Sequence, residues 1–371
     1  MKIGTDQYNT FDTMTMDCWN DRVYYEGKEF PAGHFATEIL NFAGVIHDPL
    51  LERITVLTAL VDDLSTAEKS KRHDIASQLK PLLRNTVSWL YTCPPFCYCE
   101  EQRAYGALVH ALSEERLDRD YEEEEAHLPY LALSFCEPIL RILVAIYNFC
   151  LLIRAFEMKY LRGSKQRNAD AFAKAAHECF DEDDSFLILL EQMPFGGVEE
   201  FFSYPRVITG FNYFQDENDE EKWKTAQRVI CKRAIDFYVF DLMNGLHHGH
   251  APSQCQGCGR YFLTTNGYIP KYCDGVAPQD SRYTCRQYGA MMHQKEQNKQ
   301  HPVYRLFNTR TGTIRKHHQR GKISDDLRRE ALYLAESYRD KALMDNDYAA
   351  DGYARDMELE HIYAEAEKRL K

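Results

Sequence analysis

Four cysteines in one short stretch of the chain have the residue type and the spacing of a metal site. They follow the pattern C-x2-C-x14-C-x11-C and are Cys255, Cys258, Cys273 and Cys285. The first two can bind one ion if the turn between them points both sulfurs inward, and Gly257 and Gly259 tolerate the positive φ that such a turn needs. Four thiolates complete the closed tetrahedron of a structural Zn²⁺ site and leave no open position for catalysis. The sequence therefore predicts a structural zinc site.

A hairpin and a helix are the elements expected to position these cysteines. Arg260 to Leu263 is rich in β-prone residues, Asn266-Gly267 is a strong hairpin turn, and Tyr268 to Tyr272 is the expected return strand. Thr284 is a good N-cap for a helix whose first turn contains Cys285, where the partial positive charge of the helix N-terminus favours a thiolate. This order predicts a small zinc finger of the treble-clef or ribbon type.

The sequence around the cysteines resembles a known kind of finger. The run CxxCGRYF…KYC…TCRQ, with His301 to Tyr304 and Arg320 to Ser324 after it, resembles an uncharacterised family of bacterial and mobile-element proteins. Their C-terminal finger is similar to the CGNR-type finger of transcription regulators. The resemblance covers residues 250–345 and is specific over the cysteines, but Cys285 is followed by Arg286-Gln287 instead of Gly-Asn-Arg. It implies a zinc-containing, DNA-binding protein and no assigned activity.

The basic residues of the chain are concentrated beside this finger. The 371 residues carry a formal net charge of −12, yet residues 251–330 hold 14 Lys and Arg against 6 Asp and Glu, a net charge of +8. A segregated basic region is typical of nucleic-acid binding. The expected contact residues are Arg260, Arg282, Arg286, Arg315, Lys316, Arg320 and Lys322.

This charge pattern leads to two hypotheses for function. The first is a regulatory nucleic-acid-binding protein, with DNA favoured over RNA, in which Lys and Arg contact phosphates. The second is an interaction or scaffold protein whose zinc is purely structural and whose acidic helical body binds a protein partner. The basic face could also dock on the protein's own acidic body.

The hydrophobic pattern predicts a mostly α protein. We expect an N-terminal segment over 1–33 that can form a β-hairpin at Val23 to Phe30, an α-helical bundle over 34–250, the zinc finger over 251–290, and a C-terminal helical region over 291–371 that is basic and then acidic. Within the bundle, Leu128 to Tyr160 is expected to be the central helix and Glu220 to Leu246 another helix. Residues 1–21 are expected to pack loosely, and residues 194–214 to be irregular or to hold short strands.

Nothing at the N-terminus has the pattern of a signal peptide, so we expect a cytoplasmic protein with reduced thiols and no membrane partner. The most apolar run, Ile139 to Ile153, is shorter than the ~20 residues of a membrane span and is expected to be a buried core helix.

Two further clusters could bind a metal, although linkers are the preferred interpretation of both: Cys93, Cys97 and Cys99, and His247, His248 and His250. A nuclease-like set at His293, Asn298 and His301 lacks an acidic metal ligand in register. No nucleotide-binding loop or nucleophile elbow is present either. We therefore expect no enzymatic activity.

Overall fold

The computed structural model describes residues 13–42, 49–99, 112–113, 130–162, 164, 166–191, 205–216, 219–265, 267 and 271–370. The chain divides into two compact units, Met1–Cys273 and Asp274–Lys371. The four predicted domain ranges stay predictions.

The first unit combines helices with a sheet. In chain order its elements are β1 (Met14–Trp19), β2 (Arg22–Tyr25), β3 (Lys28–Pro31), α1 (His34–Glu38), α2 (Pro49–Thr66), α3 (Lys69–Leu90), α4 (Tyr130–Phe156), α5 (Ala169–His177), α6 (Asp184–Glu191), β4 (Val207–Asp216), β5 (Asp219–Cys231), α7 (Ala234–His247), β6 (Ala251–Gln254) and β7 (Tyr261–Thr264). The described part of this unit also contains short 3₁₀ turns at Ile39–Asn41 and Phe96–Tyr98 and π-helical turns at Glu157–Leu161 and Glu178–Glu182.

The second unit is a short hairpin followed by helices. Its elements are β8 (Val276–Ala277), β9 (Asp280–Thr284), α8 (Cys285–Gln300), α9 (Pro302–Gln319), α10 (Asp325–Met344), α11 (Tyr353–Asp356) and α12 (Leu359–Leu370), with a π-helical turn at Tyr348–Gly352. Val303, Ile314, Leu334 and Ile362 are among the side chains of its own core.

A five-stranded antiparallel sheet lies in the first unit, in the order β3-β2-β1-β5-β4, and two further pairs, β6-β7 and β8-β9, form small sheets. The prediction of a mostly α helical bundle is therefore wrong, and the fold is of a mixed α/β class. The hairpin expected at Val23 to Phe30 is confirmed as β2 and β3. The loose packing expected of residues 1–21 is wrong for β1, which pairs with both β2 and β5.

The largest error concerns the segment from Glu220 to Leu246, which is strand β5 followed by helix α7 and not one helix. The apolar residues of this segment match a helical period only when the strand and the helix are treated as one element. Val229 and Ile230 lie near the end of the strand, whereas Phe237 belongs to the helix. Strand β5 is rich in Glu and Lys, which are depleted in strands, so local propensity argues for helix. Pairing with β1 and β4 overrides that propensity.

An ion pair ties three strands of the sheet together. Asp17 of β1 lies opposite Arg228 of β5 in the strand register. Arg228 donates to its two carboxylate oxygens at 2.8 and 2.9 Å, and Asn212 of β4 donates to the same carboxylate at 2.8 Å. Asp17 is buried, so these charge-assisted bonds compensate for its lost hydration and favour this register. Periodicity alone contains no signal for such a pair.

Asp241 of α7 fixes the start of α1. Its buried carboxylate accepts the backbone N–H groups of Gly33 at 3.0 Å and Ala36 at 2.9 Å. Burial raises the pKa of this carboxyl to about 7, although the N–H donors of Ala36, Gly33 and Phe35 act in the opposite direction. Gly245 lies on the same helix, and a Cβ there would stand 2.8 Å from the Cα of Gly33. The two helices therefore meet where only glycine fits.

Helix α4 is the central core helix that the apolar pattern predicted. Phe149, Cys150 and Phe156 are completely buried in the main core. The apolar stretch Cys136–Leu161 has 26 residues, and an 18-residue window within it has a mean hydropathy of 2.0, so by length and composition it could cross a membrane. This stretch is longer than Ile139 to Ile153, the apolar run that was expected to be too short for a membrane span. A single such helix is weak evidence for one, because a buried core helix of a globular protein passes the same test.

Candidate metal centre

The four predicted cysteine ligands lie together. The sulfurs of Cys255, Cys258, Cys273 and Cys285 are all within 4.8 Å of one another. The Sγ atoms of Cys258 and Cys273 are 3.6 Å apart. Zinc–sulfur bonds of about 2.3 Å in a tetrahedron place neighbouring sulfurs about 3.8 Å apart. The donor set and its spacing therefore fit one ion held by four thiolates, with zinc the plausible metal.

The first two cysteines lie in the turn of the β6-β7 hairpin. Gln254 of β6 pairs with Tyr261 of β7, and the N–H of Cys255 donates to the carbonyl of Arg260 at 2.8 Å across the base of the turn. Gly259 has a φ of +76°, so the glycine expected there for a left-handed turn is confirmed.

The expected hairpin differs from the structure where it can be compared. Gly257 is not left-handed, and its N–H instead donates to the sulfur of Cys255 at 3.4 Å. Strand β7 pairs with β6, which precedes the first cysteine and was not predicted as a strand. Lys271 and Tyr272 are not in a strand, whereas Asn266 and residues 268–270 lie outside the described residues.

Cys285 is the first residue of helix α8, as the capping signal predicted. The Oγ1 of Thr284 accepts the N–H of Gln287 at 3.2 Å, and the Oε1 of Gln287 accepts the N–H of Thr284 at 2.9 Å. This reciprocal pair is a capping box, which fixes the first turn of the helix. The N–H of Cys285 also donates to the carbonyl of Gly275 at 2.7 Å, which holds the cysteine beside the β8-β9 hairpin.

The surroundings of Cys255 favour its thiolate form. Burial alone would raise the pKa of this thiol, but the backbone N–H groups of Cys273, Cys258 and Gly257 together outweigh burial and lower the pKa to about 7. Hydrogen bonds to the charged form stabilise it. By contrast, burial raises the pKa of Cys93 to about 12. The Cys255 thiol therefore ionises more easily than the Cys93 thiol, and a metal ligand must be ionised. Cys93 instead packs as a small apolar group.

A short hydrogen-bonded chain anchors the β6-β7 turn, and sequence reasoning missed it. Gln254 donates to the carbonyl of Gly259 at 3.1 Å, and its own Oε1 accepts a bond from Arg162 at 2.8 Å. Arg162 also pairs at 2.8 Å with Glu157, which is buried. Glu157 of the π-helical turn and Arg162, which follows that turn, thus hold the cysteine-bearing turn, and the bond from Arg162 to Gln254 spans 92 positions that no local pattern relates.

The other two clusters do not form a comparable metal group within the part of the chain that the structure describes. Cys93 is buried and Cys97 is exposed, while the sulfur of Cys99 lies 3.3 Å from the hydroxyl of Tyr25. The Nδ1 of His250 is 3.0 Å from the carbonyl of Ala32. His247 is the last residue of α7, and His248 and His250 lie between α7 and β6.

The predicted basic residues are all exposed but differ in their neighbours. Arg282 makes a two-bond contact with Asp280, at 3.0 and 2.7 Å, and Arg286 pairs with Asp274 at 3.0 Å. Arg260 lies on the β6-β7 turn. The remaining four lie at the end of α9 and just after it, and are Arg315, Lys316, Arg320 and Lys322. No ion pair of these four occurs among the residues with described side chains.

The exposed side of α9 contains a further cation that the sequence reasoning left out. Val303, Thr311 and Ile314 are buried on the opposite side. Arg305 and Lys316 are 11 positions apart, so at about 100° per residue they face almost the same direction, about 16 Å apart along the axis. Between them on this side lie exposed Asn308 and Thr309 and partly exposed Gly312, and no acidic residue occurs from 297 to 324. The helical period was the signal that could have found Arg305.

Comparison with known proteins places part of the chain in context. No curated protein and no solved structure matches it. Residues 203–369, which include the four cysteines and helix α9, match the model of a family of unknown function, DUF6076. This agrees with the expectation that the C-terminal region resembles an uncharacterised family.

Proposed function

We propose that this protein binds nucleic acid through the exposed side of α9, with a structural zinc ion held by the four cysteines. The observation that carries the proposal is the set of exposed cations along and just after that helix. Arg305, Arg315, Lys316 and Arg320 have no carboxylate partner among the described side chains. Guanidinium and ammonium groups that have no carboxylate partner are free to contact phosphates. Such contacts release the cations condensed on the nucleic acid, which favours binding. The resemblance to CGNR-type fingers agrees with this proposal.

Double-stranded DNA is the form that this surface fits best. Between the cations, the exposed side of α9 presents Asn308, Thr309 and Gly312, and a Cβ on Gly312 would meet nothing within 4 Å. Small and amide side chains on a basic helix suit the major groove of B-form DNA, which admits a helix. The corresponding groove of double-stranded RNA is too narrow for side chains to read. The exposed side of α9 also lacks the aromatic rings on which single-stranded bases stack.

Zinc has a supporting role in this proposal. The residues that would hold it are the four cysteines, and a closed thiolate site supplies folding free energy to a small segment and no catalytic position. We infer a regulatory, cytoplasmic protein without enzymatic activity. The alternative is an interaction protein with the same structural zinc, which would bind no nucleic acid at any salt concentration.

A shift assay on duplexes of random sequence tests the proposal. We expect binding at low salt that weakens about 100-fold between 50 and 200 mM, as four phosphate contacts require. Reversing charge with Arg315→Glu, Lys316→Glu and Arg320→Glu should abolish this binding without changing the metal content. The matched control reverses three exposed cations of the first unit, Lys80, Arg141 and Lys174, and so changes the net charge equally. If both triple variants lose binding equally, α9 is not the contact surface.

A further inference from the structure

The β4-β5 hairpin presents large apolar side chains to solvent. Phe211 and Tyr213 of β4 are 72% and 65% exposed, and Trp223 of β5 is 65% exposed. In the strand register Tyr213 lies opposite Thr225, and Trp223 lies opposite Gln215. Since side chains alternate between the two faces of a strand, all three rings lie on one face of the hairpin. Three exposed rings on one face are more than scattered surface apolar residues.

The same face is the core-facing side of the sheet farther along the hairpin. Val229 and Cys231 of β5 and Met16 of β1 lie on it and are almost fully buried. Strand β1 pairs with β5 only from Cys231 to Gln227, so beyond that point the hairpin continues without this neighbour. The three rings therefore lie at and beyond the point of the hairpin where pairing with β1 ends. Apart from β4, no described strand of the sheet lies beside β5 past that point.

Strand β4 is the last strand in the order, so no described strand lies along its outer backbone edge. Edge strands are normally protected by proline, lysine or a bulge that prevents pairing with another chain. From Val207 to Gln215 the strand contains no proline and no charged residue, and its one register irregularity comes at the end, between Gln215 and Asp216. The segment from Val207 to Gln215, which lacks these features, is suited to pair with another strand.

We propose that β4 pairs antiparallel with β4 of a second copy of this chain, about a two-fold axis at Asn212. The strand is self-complementary about that residue. Antiparallel pairing of Asn212 with its own copy places each Phe211 opposite the Tyr213 of the partner copy, twice over, on the exposed face. It also places Phe214 opposite Gly210, around which a Cβ would meet nothing within 4 Å.

Charge supports a second copy over an unrelated peptide. The nine residues from 207 to 215 are uncharged, so two copies of the strand meet without repulsion. Aromatic pairs directly opposite each other on antiparallel strands are favourable, and this register makes two of them. A two-fold axis uses the same patch on both copies, which is the commonest way in which soluble proteins assemble. The inference is independent of the function proposed above, because it concerns the first unit only.

Light scattering on the zinc-loaded 371-residue chain at micromolar concentration tests this inference. We expect twice the chain mass of 43.3 kDa. Phe211→Lys with Tyr213→Lys places like charges opposite each other and should halve the measured mass. Phe211→Lys with Tyr213→Glu places opposite charges together in the proposed register and should restore the dimer. Both rings are mainly exposed in one chain, so unchanged thermal unfolding in dilute solution checks that each variant folds.

A control variant with Val56→Lys and Ile188→Lys changes two other exposed apolar residues and should remain a dimer. A monomeric wild type overturns the inference, whether the rings bind another segment of the same chain or another partner. A dimer that survives the double lysine variant overturns it as well, because its interface then lies elsewhere. Failure of the Lys–Glu variant to restore the dimer rejects the register about Asn212.

Discussion

The backbone N–H of Cys273 donates to the sulfur of Cys255 at 3.4 Å, although the two residues are 18 positions apart. The bond does two things at once. It stabilises negative charge on one sulfur, and it brings a second sulfur to within 4.8 Å of the first. A backbone that donates to the sulfurs of a metal site tunes and orients the ligands, as partners outside the ligand sphere commonly do.

Loss of a single cysteine from the group should release the metal. Replacing Cys258 or Cys273 with serine removes one of four ligands from a closed site, so we expect the zinc content to fall from about one per chain to near zero. Elemental analysis of the dialysed protein measures this content. The control is Cys97→Ser, an exposed thiol outside the group, which should keep its zinc. Full metal content in either ligand variant would refute the assignment.

The stability of the first unit should depend on pH through Asp241. The pKa of this carboxyl is about 7 in the folded chain, above the ordinary value of about 3.9 in the unfolded chain. The folded state therefore holds the proton more tightly. The proton on Asp241 therefore stabilises the folded state by up to about 4 kcal/mol. This stabilisation is present in full below pH ~4 and is lost as the pH rises to ~7.

Urea unfolding of wild type and of Asp241→Asn at pH values from 5 to 8 measures this contribution. The variant cannot ionise, so the difference in unfolding free energy between the two proteins should change steadily below pH ~7 and level off above it. Asparagine has one acceptor oxygen for the N–H groups of Gly33 and Ala36, which lowers stability by a constant amount and leaves the slope unaffected. A constant difference at all pH values would contradict the prediction.

Gly245 and Gly312 should respond to alanine in opposite directions. A Cβ on Gly245 would lie 2.8 Å from the Cα of Gly33 and 3.1 Å from the carbonyl of Ala32, so backbone must move. We expect Gly245→Ala to destabilise the first unit by about 2 kcal/mol or more, as overpacking does. Gly312 lies inside α9 in open space, and Gly312→Ala should stabilise that helix by about 0.5–1 kcal/mol. Thermal unfolding measures both variants, and an unchanged or raised stability of Gly245→Ala would contradict the prediction from the close contact.

The sequence predicted the parts of the site that depend on local chemistry. Cysteine spacing predicted which four sulfurs lie together, and Thr284 correctly marked the start of helix α8, because a cap and its helix lie within four residues of each other. It could not predict what depends on distant pairing. Strand β5 contains helix-favouring residues and is a strand only because β1 and β4 flank it. The bond from Arg162 to Gln254 likewise joins segments that no periodic pattern relates.

The two groups of predicted cations should contribute unequally to nucleic-acid binding. Arg282 and Arg286 already have carboxylate partners in Asp280 and Asp274, so contact with a phosphate would first require these pairs to open. Arg315 and Lys316 have no such competitor among the described side chains. We therefore expect Arg282→Glu with Arg286→Glu to weaken binding to random duplex DNA by less than tenfold, and Arg315→Glu with Lys316→Glu to weaken it by more. Each pair changes the net charge by the same amount, so a shift assay at one low salt concentration compares them directly. Equal losses would mean that the protein is recognised by its overall charge, and a larger loss from the first pair would move the contact surface to the β8-β9 hairpin.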